Sequence, residues 1–175
     1  MQQYITRSLE IDMAHRLMDE HFQCYSIHGH RVKIDLTFAF TAQKTVGFCI
    51  DFKELKRIGC QWISDNFDHG FVANPHDTAV IEACRKTSSK LYLMSLNGEG
   101  EYCNPTAENI SRELFLAIRI LFESYPNLKL HHIRYYETPN CWVDANENSI
   151  STDERDNFFA CRLQQIKQYK KEKIL

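Results

Sequence analysis

The amino-acid sequence predicts an α+β fold in which one antiparallel sheet carries helices on one side. Residues 30–41, "HRVKIDLTFAFT", alternate apolar and polar side chains as a half-buried strand does. Residues 104–127, "NPTAENISRELFLAIRILFESYPN", instead repeat apolar side chains at helical spacing. Across the chain the predicted elements follow the order strand, strand, helix, helix, strand, strand, which is typical of this fold class.

The first two strands are predicted from "YITRSLEIDMAHRL", which alternates loosely, and from the segment that begins at His30. In the second segment one face is apolar and consists of Val32, Ile34, Leu36, Phe38 and Phe40. The opposite face consists of Lys33, Asp35, Thr37 and Ala39. We therefore expect a half-buried strand pair joined by a loop.

The first helix is predicted directly after Asp51, a residue type that caps helix N-termini well. Behind it, Leu55, Ile58, Trp62 and Ile63 recur at helical spacing over about four turns. Residues 78–104 then predict a short helix, a short strand "KLYLM" and a glycine-containing turn. We interpret this segment as an elaboration on one face of the domain.

The second helix is long and amphipathic. Thr106, Glu108 and Glu113 lie near its start, and its apolar stripe consists of Ile110, Leu114, Ile118 and Leu121. After it, "LKLHHIRYYET" and "CWVDAN" predict a last antiparallel strand pair. We expect one domain over residues 1–149, followed by a lysine-rich helical tail over 150–175 that is largely solvated and has a few apolar docking residues.

Composition restricts the class of protein. The chain has 175 residues and a formal net charge of −2, which favours a small-molecule partner over nucleic acid. Its apolar runs are shorter than the ~20 residues that a membrane helix needs, and its first residues lack a signal-peptide pattern, so we expect a cytoplasmic protein. The seven cysteines form no CxxC pair, which argues against a disulfide framework and predicts mostly buried thiols.

A metal site is predicted around "CYSIHGH" at residues 24–30. On a strand, His28 and His30 point to the same face about 6.6 Å apart, and hairpin pairing brings His15 alongside them. Three neutral imidazoles and an open position form the arrangement of a catalytic zinc. Cys24 is either a fourth ligand that closes a structural site or a base or nucleophile beside the metal, because a nearby cation favours its thiolate.

Two further features could contribute chemistry. Asp68 and His69 are adjacent, and a carboxylate that orients an imidazole can form a proton relay. Glu137 ends an apolar and aromatic strand, where its carboxylate can accept two hydrogen bonds from a heterocycle or lie in solvent. The remaining histidines, His21, His76, His131 and His132, are interpreted as structural or surface residues.

Six motifs occur in order along the chain: "AHRL", "CYSIHGH", "GFCIDFKELK", "FDHGF", "NPTAENI" and "YYET". Together they resemble the 6-pyruvoyl-tetrahydropterin synthase family over about residues 4–143. The three-residue gap between Cys24 and His28 is similar to that of the bacterial 6-carboxy-tetrahydropterin synthase branch of queuosine biosynthesis.

The resemblance implies a role for each matched residue. His15, His28 and His30 would bind zinc, Cys24 would be the catalytic base, and Asp68 and His69 would form the relay. The substrate pocket would be formed by Glu137, which grips the pterin ring, and by Thr106, Ala107 and Glu108. The family's tunnelling fold implies a four-stranded antiparallel sheet with two main helices. It also implies a homo-oligomer, commonly a hexamer of two trimers, with active sites between subunits.

The implied reaction converts 7,8-dihydroneopterin triphosphate to 6-carboxytetrahydropterin with loss of triphosphate and acetaldehyde. Sister activities on the same substrate, which yield the pyruvoyl compound or a dihydropterin aldehyde, use the same site residues. A silent pterin- or zinc-binding scaffold is an alternative of another class. A generic three-histidine zinc hydrolase is a weaker alternative, because it leaves Cys24, Asp68 and Glu137 without roles.

Two departures from the family pattern leave the product open. The usual "LDHxxLN" is here "FDHGFVAN", and residues 74–104 intervene before the "PTxEN" segment. The lysine-rich tail also lies outside the usual core.

Overall fold

The computed structural model describes residues 1–174, which form one sheet with most of its helices on one face. Its strands are β1 (Gln3–His15), β2 (His28–Phe40), β3 (Gly70–Ala73), β4 (Lys90–Leu93), β5 (Leu128–Thr138) and β6 (Cys141–Ala145). They lie in the order β4-β3-β1-β2-β5-β6. The pairs β1/β2, β2/β5 and β5/β6 are antiparallel, whereas β1/β3 and β3/β4 are parallel.

The α+β class is therefore confirmed, but the expected four-stranded antiparallel sheet is wrong in strand number and direction. The four predicted strands form its centre and one edge, and β3 and β4 extend the other edge. β3 is only four residues long and shows no clear alternation, so the sequence carries little signal for it. The inserted segment contributes β4 together with α3 (Thr78–Thr87), as predicted.

The first predicted helix is continuous in space but not uniform. It consists of α1 (Phe52–Leu55), a π-helical turn (Lys56–Cys60) and α2 (Gln61–Phe67). Asp51 caps it as predicted, because its side chain accepts a hydrogen bond of 2.8 Å from the Lys53 N–H. Within the π turn, a Cβ on Gly59 would lie 2.7 Å from Leu36 Cδ1, so a larger residue there would force the buried Leu36 side chain to shift.

The core lies between the sheet and α4 (Ala107–Leu121), the long helix predicted from its apolar stripe. The apolar face predicted for β2 is buried from Val32 to Phe38, and Ile110, Leu114, Ile118 and Leu121 are buried against it. On the opposite face, α3 packs against β3 and β4 through a small apolar cluster that includes Ala73, Val80 and Leu91, so the expectation of helices on one side only is wrong. The rest of this face carries polar pairs such as Thr6 with Thr37. This polar face is the reason that β2 alternates so clearly.

The lysine-rich tail forms α5 (Thr152–Lys173), which begins at a capping box made by Ser151 and Glu154. Phe158 and Ile166 are buried on its inner side. Arg112 of α4 makes an ion pair of 3.0 Å with Glu154, which joins the two helices at their polar margin. Part of the tail thus packs as a further layer on α4.

Across residues 1–174, we find no helix that combines the length and apolar character needed to cross a membrane. All seven cysteines are free thiols, as expected. Only Cys60, Cys84 and Cys103 are buried, so the expectation of mostly buried thiols is wrong. Burial raises the pKa of Cys103 to about 12, which keeps that thiol protonated.

Candidate metal centre and active site

Three histidines converge at one end of the β1/β2 hairpin. His15 lies directly opposite His28 in the strand register, and His30 follows two residues later on the same face. One ligand atom from each side chain lies within 4.8 Å of the others. The sequence prediction that these residues form a cluster rests on strand geometry, and the register observed here is the one it requires.

Backbone carbonyls orient two of the three rings. His15 Nδ1 lies 2.8 Å from the carbonyl oxygen of Pro105, and His28 Nδ1 lies 2.7 Å from that of Ser26. A carbonyl oxygen only accepts, so each Nδ1 carries the proton and each Nε2 keeps its lone pair. This is the second-sphere arrangement typical of histidine metal ligands.

The Nε2 atoms of His15 and His30 are buried and have no hydrogen-bond partner among the described residues. Burying such an atom without a partner costs free energy, and a metal ion would supply the partner. Burial also lowers the pKa of His15, which favours the neutral imidazole that a metal requires. The residues present therefore fit a metal ion held by three nitrogen ligands.

Cys24 lies outside this ligand cluster. It belongs to a 3₁₀ turn (Gln23–Tyr25), and its thiol is partly exposed. Among residues 1–174, the group of ligand atoms within 4.8 Å of one another holds the three histidines without Cys24. This geometry does not support a closed four-ligand structural site, and it leaves the thiol free for another role.

Glu137 lies at the end of β5 beside the cluster. Its Oε1 atom is 3.5 Å from His15 Nε2. Together with His30, Lys33 and Tyr136 it lines a cleft of about 570 Å³. A partly exposed carboxylate in a cleft that opens onto a metal centre can orient a substrate next to that metal.

Asp68 and His69 approach the cluster from another side. Asp68 Oδ1 lies 3.1 Å from His69 Nδ1 and accepts a hydrogen bond of 3.0 Å from the Asp12 N–H. His69 has a positive φ of 55°, and its side chain is 79% exposed. His69 and His30 line the same cleft, which has a volume of about 510 Å³. The carboxylate thus orients an imidazole that faces open space.

Thr106, Ala107 and Glu108 lie at the N-terminus of α4. Thr106 caps the helix by accepting a hydrogen bond of 3.2 Å from the Asn109 N–H. None of the three lines either of the two clefts that border His30. Their neighbour Pro105 is the one that contacts the metal cluster, through its carbonyl oxygen.

Sequence reasoning missed three contributors to the site. The Pro105 and Ser26 carbonyls act through the backbone, and no side-chain pattern identifies them. Arg31 lines both clefts, and its position directly after the "HGH" motif was a signal that could have been used. The other four histidines lie outside the ligand cluster: His21, His76, His131 and His132.

An α+β domain with three convergent imidazoles and an open side is typical of metal-dependent enzymes rather than of closed structural metal sites. Comparison with known proteins agrees with this class. A family model described as 6-pyruvoyl tetrahydropterin synthase matches residues 4–148, and the chain belongs to this family of lyases.

Similar proteins include the 6-carboxy-5,6,7,8-tetrahydropterin synthase of Rickettsia felis, which is 34% identical over 143 residues, or 80% of this chain and 97% of the relative. The protein of that name from Haemophilus influenzae is 28% identical and is covered to 98%. Among solved structures, the 6-pyruvoyl tetrahydropterin synthase of Plasmodium falciparum superposes with a TM-score of 0.60 at 15% identity, covering 83% of this chain and 98% of that one. This last likeness shows the fold.

Proposed function

We propose that the protein is a zinc-dependent 6-carboxy-5,6,7,8-tetrahydropterin synthase, an enzyme of queuosine biosynthesis. The substrate would be 7,8-dihydroneopterin triphosphate, and triphosphate and acetaldehyde would be lost. The observation that carries the proposal is the histidine cluster, in which two buried Nε2 atoms lack a partner. This chain matches 6-carboxy-5,6,7,8-tetrahydropterin synthases over 97% or more of their length, which supports the choice of branch.

His15, His28 and His30 would hold the zinc, which when bound supplies Lewis acidity to the side-chain oxygens of the substrate. The Cys24 thiolate would then remove the proton from an adjacent carbon. His69, oriented by Asp68, would relay a proton as the C–O bond to triphosphate breaks. Addition of one water and cleavage of a carbon–carbon bond would then leave the 6-carboxyl group and release acetaldehyde.

Glu137 would anchor the pterin by accepting hydrogen bonds from the amidine-like edge of the ring. Its place in a cleft that also borders His30 supports this role. In the same proposal, Thr106, Ala107 and Glu108 would complete the substrate pocket in the assembled protein. In this single chain the three residues lie away from the clefts around His30.

The chain would act as a homo-oligomer, with Asp68 and His69 serving the Cys24 of a neighbouring subunit. The 79% exposure of the His69 side chain supports this arrangement, because a relay that one chain completed by itself would be shielded from solvent within that chain. The polar surface of β1 and β2 agrees with a barrel of several subunits around a solvated interior.

The experiment is product analysis by mass spectrometry after incubation with 7,8-dihydroneopterin triphosphate. Wild type should form 6-carboxytetrahydropterin and acetaldehyde. Cys24→Ala should keep its metal and lose turnover by at least about 1,000-fold, as expected for loss of the proton-abstracting group. Cys141→Ala, which removes an exposed thiol on β6, is the matched control and should behave as wild type.

Other products would identify other functions. A pyruvoyl product or a dihydropterin aldehyde without acetaldehyde would indicate a sister activity at the same site. Metal-loaded protein without any turnover would indicate a binding scaffold. Wild type that is fully active without metal would contradict the mechanism.

A further inference from the structure

The loop between β1 and β2, residues 16–27, carries Cys24 between two metal-ligand strands. One end of this loop is tied to the inserted segment by a bidentate ion pair. Arg16 Nε donates to Asp77 Oδ2 at 2.5 Å, and Arg16 Nη2 donates to Asp77 Oδ1 at 2.7 Å. The Asp77 side chain is 1% exposed, so this pair is shielded from water and from salt.

A second tie is made by Asn104, at the other end of the insertion. Its Oδ1 accepts hydrogen bonds from the Met18 N–H at 3.0 Å and from Asn74 Nδ2 at 2.9 Å. Its Nδ2 donates to the Tyr102 hydroxyl at 2.8 Å. That hydroxyl in turn donates to the Met18 carbonyl at 3.3 Å, so both backbone groups of Met18 are held.

The Arg16 pair is connected to the thiol through the loop itself. The Arg16 guanidinium lies 5.1 Å from the ring centre of Tyr25, the residue after Cys24. The Leu17 N–H donates to the Cys24 carbonyl at 2.8 Å and closes the loop at its base. A displacement of Arg16 would therefore be transmitted to the backbone of Cys24.

The insertion is firmly fixed to the domain. Lys90 Nζ donates to the Asp68 carbonyl at 2.7 Å and to the Ser64 carbonyl at 3.0 Å, so β4 also contacts the segment that precedes His69. Behind β4, the fully buried Glu113 of α4 accepts from the Tyr92 hydroxyl at 2.6 Å and from the Leu96 N–H at 3.0 Å. Such a buried and satisfied network resists movement.

We propose that residues 74–104 act as a brace for the Cys24 loop, and that Asp77 and Asn104 are its positioning residues. The brace holds the backbone of the loop against the insertion and thereby sets where the Cys24 thiol lies relative to the histidine cluster. The catalytic consequence rests on the proposed function, whereas the mechanical role does not.

The test compares Asp77→Asn and Asn104→Ala with wild type by hydrogen exchange of peptides covering residues 16–27. Asparagine caps helices about as well as aspartate, so Asp77→Asn keeps the cap of α3 and removes the charge. Exchange in the loop should be about tenfold faster in each variant, as expected when a charge-assisted or buried hydrogen bond is lost. Arg119→Gln, which breaks the ion pair with Glu147 away from the loop, is the control and should leave the loop unchanged.

Steady-state kinetics provides the readout that a purely structural role would not change. Both variants should keep their bound metal and their KM and lose kcat by about tenfold or more, because a misplaced base affects the chemical step. Unchanged hydrogen exchange of residues 16–27 in both variants would overturn the proposal. Faster exchange in variants whose kcat equals that of wild type would overturn it as well. If exchange is faster in the variants but wild type itself has no turnover, the result supports the brace and refutes the proposed function.

Discussion

At the scale of single residues, the histidine cluster shows how a strand pair and two carbonyls together arrange three candidate metal ligands. The register places His15 opposite His28, and the carbonyls of Pro105 and Ser26 fix which nitrogen of each ring is free. The identity of the candidate ligands is thus a property of the hairpin. Their orientation depends on residues from two other parts of the chain.

We predict that His28→Ala lowers metal affinity by at least about 100-fold, because loss of a ligand costs more than the 10–100-fold lost with an outer hydrogen bond. The measurement is bound metal per chain by elemental analysis after dialysis. His132→Ala is the control, since His132 lies on the polar face of the sheet outside the cluster. Equal metal content in both variants would show that the cluster is not the metal site.

Glu137 is the residue whose role most needs a separate test, since its Oε1 atom is 3.5 Å from His15 Nε2. We predict that Glu137→Gln keeps the metal and raises KM for the pterin substrate about 10–100-fold, the effect of losing charged hydrogen-bond acceptors. Glu10→Gln, in the same cleft, is the control and should have a near-normal KM. Loss of metal from Glu137→Gln would instead identify the carboxylate as a ligand.

At the scale of elements, the predicted strands and helices form where local side-chain periodicity is strong. β2 and α4 are long, and their patterns of period two and 3.6 are clear, so both are predicted correctly. β3 spans only Gly70–Ala73 and pairs in parallel with β1 and β4. A strand that short is specified by its neighbours in space rather than by its own sequence.

The tail helix α5 belongs to the packed structure through a few side chains. Phe158 is 0% exposed, whereas Gln164 on the same helix is exposed. We predict that Phe158→Ala lowers the free energy of unfolding by about 3–5 kcal/mol through loss of burial and the cavity it leaves. The control Gln164→Ala should change the free energy of unfolding by less than about 0.5 kcal/mol, and urea unfolding of both variants measures the difference. Equal values for the two variants would show that α5 does not pack there in solution.

At the scale of the whole molecule, part of one face of the sheet is polar and the Asp68–His69 pair is partly exposed. The polar part of this face carries ion pairs such as Arg134 with Asp144 at 2.6 Å, and the His69 side chain faces open space. Both features agree with the proposal that several subunits together complete each active site.

Subunit mixing tests this proposal directly. Cys24→Ala and His69→Ala should each be inactive alone. After equal amounts are unfolded and refolded together, random assembly leaves about one shared site in four with both residues intact, so activity should return to roughly that fraction. Mixing without subunit exchange is the control. No recovery in verified mixed oligomers would place Cys24 and His69 of one chain in the same site.

The fold class, the long elements and the candidate metal ligands could be predicted from the sequence, because strand alternation, helical stripes and the spacing of His28 and His30 are local properties of the chain. The three-dimensional structure was needed to show that β3 and β4 extend the sheet in parallel, that Pro105 orients His15, and that the insertion contacts the Cys24 loop. These are contacts between distant segments, several of them through backbone atoms. Their energy depends on three-dimensional placement, which no single stretch of side chains encodes.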